Sequence, residues 1–192
     1  RLVVPRQTHS SNVAVITHGT PLPMELEDTD AVVTDVRRLA IGVNTADCVP
    51  LLLLDPTARV IAAVHAGWRG TVARIAAKAV SAMERIGASP QRIRVITGPC
   101  ICPDCFEVGD EVVEQFADAG FPTGSITSRN PITGKQHVDL REANRIVLTD
   151  SGIPRGNIGV AVGCPRCNPG RYFSARRLGI ASGRTFTGLM ME

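Results

Sequence analysis

Two short apolar runs separated by Asp55-Pro56-Thr57 constrain this chain more than any other feature. The first, Val49 to Leu54, has Pro50 near its start and Asp55-Pro56 at its end; the second, Val60 to Val64, ends at His65. Runs of this length around turn residues predict two interior strands joined as a hairpin. An antiparallel hairpin returns the chain to its starting point. Cys48, which enters the first strand, and His65, which leaves the second, are therefore expected side by side at one edge of the sheet. Ala66-Gly67-Trp68-Arg69-Gly70-Thr71 then reads as a glycine-bracketed entry into a helix. Val72, Ile75, Ala76, Ala79, Val80, Met83 and Ile86 fall at helical spacing, with Thr71 as the expected N-cap and Gly87 as the closing residue. The positive end of that helix would lie near Cys48 and His65. There Arg69, with the Gly70 and Thr71 amides, suits an anion such as phosphate. The plainer reading has the thiol and imidazole filling space in a buried hairpin; Asp47 beside one and Arg69 beside the other weigh against it.

Elsewhere the pattern predicts strands over Val3 to Pro5, Val13 to Ile16, Asp30 to Asp35, Ala40 to Asn44, Arg92 to Thr97 and Ile158 to Val162. Pro21 to Thr29 reads as an acidic loop and Phe121 to Lys135 as loop-rich. Asp110 to Ala119 reads as a helix. Asp139-Leu140-Arg141-Glu142 has capping-box spacing and opens a helix to about Thr149. Arg171 to Arg177 and Arg184 to Met190 are expected to finish the sheet. Hairpins mixed with crossover helices predict an α+β fold, a mixed α/β layered sandwich with flanking helices, as one domain over residues 1–192.

A chain of 192 residues with 44% hydrophobic and 20% charged residues can build a full core. A net charge of +3, with one Trp and one Tyr, argues against nucleic acid as a partner. No apolar run approaches the ~20 residues of a membrane span, and no signal-like segment opens the sequence. Six cysteines without a mark of secretion read as reduced thiols in a cytoplasmic protein.

The histidines are His9, His18, His65 and His137. If the polar turn around His9 sits beside the hairpin mouth, His9, Cys48 and His65 form a two-His, one-Cys set. Three such ligands with a fourth position open are what a catalytic zinc needs. Alternatively Cys48 is a nucleophile and His65 its base, which does not require His9. Asp47 and Glu107 are candidates for proton transfer, and Arg69, Arg176 and Arg177 for phosphate. Cys102-Pro103-Asp104-Cys105 and Cys164-Pro165-Arg166-Cys167 would form a four-thiolate zinc site if they met in space. The long stretch between them favours disulfides or unlinked thiols instead, and Cys100 has no assigned role.

Gln7-Thr8-His9, Asp30-Ala31-Val32-Val33-Thr34, Thr45-Ala46-Asp47-Cys48-Val49-Pro50, His65-Ala66-Gly67-Trp68-Arg69-Gly70, Cys105-Phe106-Glu107-Val108-Gly109 and Phe173-Ser174-Ala175-Arg176-Arg177 follow in order. Together they resemble the laccase-domain family of purine nucleoside phosphorylases, also labelled polyphenol oxidases and peptidoglycan editing factors. The resemblance implies a layered α-β sandwich and a zinc held by His9, Cys48 and His65. It also implies phosphorolysis of adenosine, inosine and guanosine, cleavage of methylthioadenosine, and deamination of adenosine. On that reading phosphate is the co-substrate, held by Arg69, Gly70 and Thr71, while Cys48, His65, Asp47 and Arg69 carry the catalysis. Copper is the lesser expectation, because four histidines with no His-x-His pair cannot supply a multicopper cluster. The alternatives are a Cys-His amidase acting on peptidoglycan precursors, a single-copper polyphenol oxidase, or a zinc-stabilised interaction domain. Members usually carry a longer segment ahead of the first histidine motif, so the chain reads as N-terminally truncated relative to the family. Cys102 stands where glycine is commoner.

Overall fold

The computed structural model describes residues 1–22, 25–161 and 163–192. The strands are β1 (Leu2–Val3), β2 (Val13–Ile16), β3 (Ala31–Thr34), β4 (Ala40–Thr45), β5 (Val49–Asp55), β6 (Val60–Ala66), β7 (Arg94–Thr97), β8 (Glu107–Val108), β9 (Thr127–Arg129), β10 (Gln136–Val138), β11 (Ile158–Val160) and β12 (Thr185–Met190). The helices are α1 (Trp68–Val72), α2 (Ile75–Arg85), α3 (Asp110–Asp118), α4 (Thr123–Ile126), α5 (Leu140–Asp150) and α6 (Ala175–Leu178).

The main sheet has the order β11-β7-β5-β6-β3-β2. Its outer pairs are parallel and its inner pairs antiparallel. Side chains alternate between its faces, and both faces are covered. Leu51, Leu53, Ala62 and Val64 meet Ile75, Ala79, Met83, Val147 and Leu148 from the helices. On the opposite face Ile61, Ala63 and Val32 pack with Ile41 and Val43 of β4, which belongs to the three-stranded sheet β1-β4-β12. The result is the expected layered α+β sandwich. A small sheet, β8-β10-β9, flanks it.

The predicted hairpin is β5 and β6, antiparallel over Val49 to Asp55 against Ala66 to Val60. Its turn is organised by the buried Asp55, whose carboxylate accepts N–H groups from Thr57, Ala58 and Ser89 and the Arg92 guanidinium. Burial alone would raise this carboxyl, but those donors, with Ala58 and Ser89 foremost, hold it down to about 2. Asp139 caps α5, accepting from the Arg141 and Glu142 amides, as its spacing predicts.

Other expectations are corrected. The strands β5 and β6 are central, so Cys48 and His65 sit at a strand end rather than along an edge. The helix after His65 is broken at Ala73-Arg74, where Arg74 is left-handed at φ 56°, into α1 and α2. Its N-cap is Gly67, not Thr71. Thr71 lies inside α1, and its hydroxyl donates back to the Gly67 carbonyl, a local bond open to threonine within a helix. Residues 171–177 are not a strand; Ser174 caps α6 there by accepting the Arg177 amide. Thr185–Met190 does pair, but with β4 of the smaller sheet. The loop-rich stretch after Phe121 holds α4 and β9. The predicted end of β11 at Val162, and Pro23 and Met24 of the acidic loop, lie outside the described residues. Among the described residues no helix is long and apolar enough to cross a membrane. All six cysteines are unpaired.

Candidate metal centre and cavity

The ladder pairs Val49 with Ala66 and Pro50 with His65. Cys48 therefore leaves the ladder opposite Gly67, at the open end of the two central strands. His9 arrives from the turn before β2. One ligand atom each from His9, Cys48 and His65 lie within 4.8 Å of one another. Cys48 Sγ is 3.8 Å from His9 Nε2, and the two imidazoles meet edge to face with centroids 4.9 Å apart. Sequence reasoning paired Cys48 with His65 and added His9 on the condition that its turn sits at the hairpin mouth; all three side chains converge.

Asp30 holds the arrangement from behind. Its carboxylate is fully buried, and Oδ1 accepts from His65 Nδ1 at 2.6 Å. The same carboxylate accepts the backbone N–H groups of Thr8, His9 and Ser10 and the Ser10 hydroxyl. Three consecutive amides aimed at one carboxylate fix the His9 turn, where His9 is left-handed at φ 64°. With Nδ1 engaged, His65 has Nε2 left for a ligand. Gly67 completes the cradle. A Cβ there would come within 3.0 Å of His9 Cδ2 and 3.1 Å of Cys48 Sγ, so any other residue crowds the ligand set.

The charges agree with the geometry. Burial alone would raise the Cys48 thiol, but His65 and His9 beside it bring it down to about 6. Burial would lower His65; the Asp30 carboxylate and the Cys48 thiolate raise it to about 9. Burial would raise Asp30, and its His65, Ser10 and Thr8 donors lower it to about 2. Once the His65 Nε2 proton is displaced, a thiolate beside two imidazoles is a soft, nitrogen-sulfur donor set with no fourth protein ligand among the described residues, which fits a catalytic zinc.

The three side chains open onto a cavity of about 790 Å³. Asp47 lines it, buried, at φ 89°. Its Oδ2 accepts the Arg176 amide at 2.7 Å, while Oδ1 has no partner. Arg69 lies exposed on the rim with its guanidinium 4.2 Å above the Trp68 ring, and Arg176 and Arg184 line the same space. Ile101 and Phe106 supply apolar wall. Four expected residues are elsewhere. Gly70 and Thr71 are buried behind the cavity, and Thr71 spends its amide on the Gly67 carbonyl and its hydroxyl on Gly67 and Asn144. Glu107 pairs with Lys135, Arg177 donates to the Arg166 carbonyl, and Cys100 is a buried thiol pushed up to about 12 by burial.

Asp30 is the functional residue that reading by residue type missed. It appeared only as the head of a β-strand motif, and nothing local marks a carboxylate that serves a histidine 35 positions away. The available signal was the pairing of that aspartate with a short polar turn rich in amide donors.

The family model described as multi-copper polyphenol oxidoreductase laccase matches residues 1–192. An adenosine deaminase, RL5, from a prokaryote of unknown identity is 55% identical over 194 residues, covering 98% of this chain and 74% of its own length. A purine nucleoside phosphorylase of Bacteroides thetaiotaomicron is 41% identical, covering 100% of this chain and 73% of its own length. Among solved structures, YlmD of Geobacillus stearothermophilus superposes with a TM-score of 0.90 at 31% identity, covering 100% of this chain and 74% of that one.

Proposed function

This chain belongs to the multi-copper polyphenol oxidoreductase laccase family, and we propose that it is a zinc-dependent purine nucleoside phosphorylase with adenosine deaminase activity. Its substrates on this reading are purine nucleosides, namely adenosine, inosine, guanosine and methylthioadenosine, with phosphate as co-substrate. The observation that carries it is the convergence of His9, Cys48 and His65 at the mouth of a nucleoside-sized cavity, in a chain whose relatives bear those two enzyme names.

His9, Cys48 and His65 would hold the ion. A zinc ion held there would supply a Lewis acid able to lower the pKa of water toward about 7. Asp30 keeps His65 in the tautomer that presents Nε2. Asp47 is our proton carrier, because the residue lines the cavity and its buried Oδ1 has no hydrogen-bond partner. In deamination it would serve the departing amine, and in phosphorolysis the departing base. Arg69 would hold phosphate, its guanidinium steadied over Trp68. Ile101 and Phe106 offer the apolar surface a purine needs. Zinc is our choice over copper because four histidines with no His-x-His pair cannot supply a multicopper cluster. A cytoplasmic setting suits six unpaired thiols. The reading of residues 1–192 as a single domain is supported by the continuous core beneath the main sheet.

One other reading has support. A thiol near 6 beside an imidazole near 9 is a thiolate–imidazolium pair, so a metal-free Cys48–His65 amidase acting on peptidoglycan precursors is the competitor. Incubation with adenosine and inosine, with and without phosphate, separates the two. Phosphate-dependent free base with ribose 1-phosphate, and inosine from adenosine, are expected. Inert nucleosides alongside amino-acid release from a cell-wall precursor would overturn the proposal in favour of the amidase.

A further inference from the structure

The two Cys-Pro-x-Cys segments, far apart in sequence, meet in space. The sulfur atoms of Cys102, Cys105, Cys164 and Cys167 all lie within 4.8 Å of one another. Cys105 and Cys167 are 3.4 Å apart and Cys102 and Cys167 4.0 Å, and none is bonded to another. A tetrahedral zinc with Zn–S bonds of about 2.3 Å sets sulfurs roughly 3.8 Å apart, in the middle of that spread.

The backbone is also shaped for it. Each segment is a tight turn with proline second. A 3₁₀ turn spans Pro103–Cys105, with the Cys105 amide donating to the Cys102 carbonyl, and the Asn168 amide and side chain both donate to the Cys164 carbonyl. The Cys102 amide donates to Cys164 Sγ at 3.3 Å, a bond across the two turns that favours a sulfur carrying negative charge.

From this cluster we infer that the chain holds a second, structural zinc on Cys102, Cys105, Cys164 and Cys167, independent of the cavity site. Four thiolates close the coordination shell, so this ion has no open position and takes no part in turnover. Binding forms four Zn–S bonds and releases the protons of the thiols that were not already ionised. Its role follows from what the two turns carry. The first lies between Ile101 and Phe106, both on the cavity wall; the second leads into α6, whose Arg176 amide holds Asp47. The ion fastens the loop after β7 to the loop after β11 and so keeps that wall together.

The test is metal content of the whole chain, purified under reducing conditions with zinc supplied. Two zinc per chain are expected, falling to one in Cys48→Ala and to one in Cys102→Ser/Cys167→Ser. Should the double variant fail to fold, cobalt loading decides with a folded chain. Cys48→Ala then keeps about four-fifths of the thiolate-to-cobalt absorption, because four of five sulfur ligands remain. Cys48→Ala with no bound zinc, no such cobalt absorption, or a disulfide among the four cysteines in the zinc-supplied protein would overturn the inference.

Discussion

Asp30 Oδ1 accepts the Nδ1 proton of His65 at 2.6 Å, and the same carboxylate takes the backbone amides of Thr8, His9 and Ser10. One buried side chain thus orients one candidate ligand and fixes the turn that delivers another. Replacing it with Asn removes the charge that favours the Nδ1–H tautomer while keeping the size. Asp30→Asn is expected to weaken zinc binding at the cavity site by about 10- to 100-fold. Competition with a chromophoric chelator measures it.

Gly67 gives a second, independent handle on the same site. Its φ of −68° is open to alanine, so Gly67→Ala carries no backbone strain. The added methyl would stand 3.0 Å from the His9 ring and 3.1 Å from the Cys48 sulfur. We expect a melting temperature near that of the parent chain and at least a tenfold loss of cavity-site zinc affinity. Calorimetry and metal analysis on one preparation check both.

Asp47→Asn keeps the acceptor for the Arg176 amide and removes the proton-carrying carboxylate. If Asp47 transfers the proton, kcat for adenosine deamination falls by about 10²-fold or more, with KM and metal content little changed. Steady-state kinetics beside metal analysis separates this from a structural loss, which would move all three.

Asp55 tests the fold apart from the site. Its carboxyl sits at about 2 when folded, below the ordinary 3.8, so the folded state binds this proton less readily than the unfolded chain. The stabilisation is complete above about pH 4 and is lost as pH falls from there through about 2. Asp55→Ala strands three amides and a guanidinium, and is expected to cost on the order of 3 kcal/mol at neutral pH. Urea unfolding of the two chains, repeated down to pH 3, should show the gap narrowing.

Much of this was legible in the residues. The hairpin followed from two apolar runs around Asp55-Pro56-Thr57, and it brought Cys48 near His65 because an antiparallel pair must. The cap at Asp139 is a local bond and could be read locally. What escaped was non-local or depended on one backbone angle. The left-handed Arg74 splits a helix that side-chain periodicity draws as continuous. The helix begins instead at the extended Gly67, one turn before Thr71, and so engages the Thr71 amide proposed for phosphate. Asp30 serves residues from two distant segments. The long gap between the cysteine pairs argued against their meeting, yet the parallel pairing of β7 with β11 brings the loops that follow them to one place.

The most direct test of the central claim is His9→Ala, because the metal account needs His9 and a thiol–imidazole couple does not. Cavity-site zinc and inosine phosphorolysis, measured on the same preparation, are expected to fall together. Loss of that zinc with phosphorolysis at the parent rate would contradict the account.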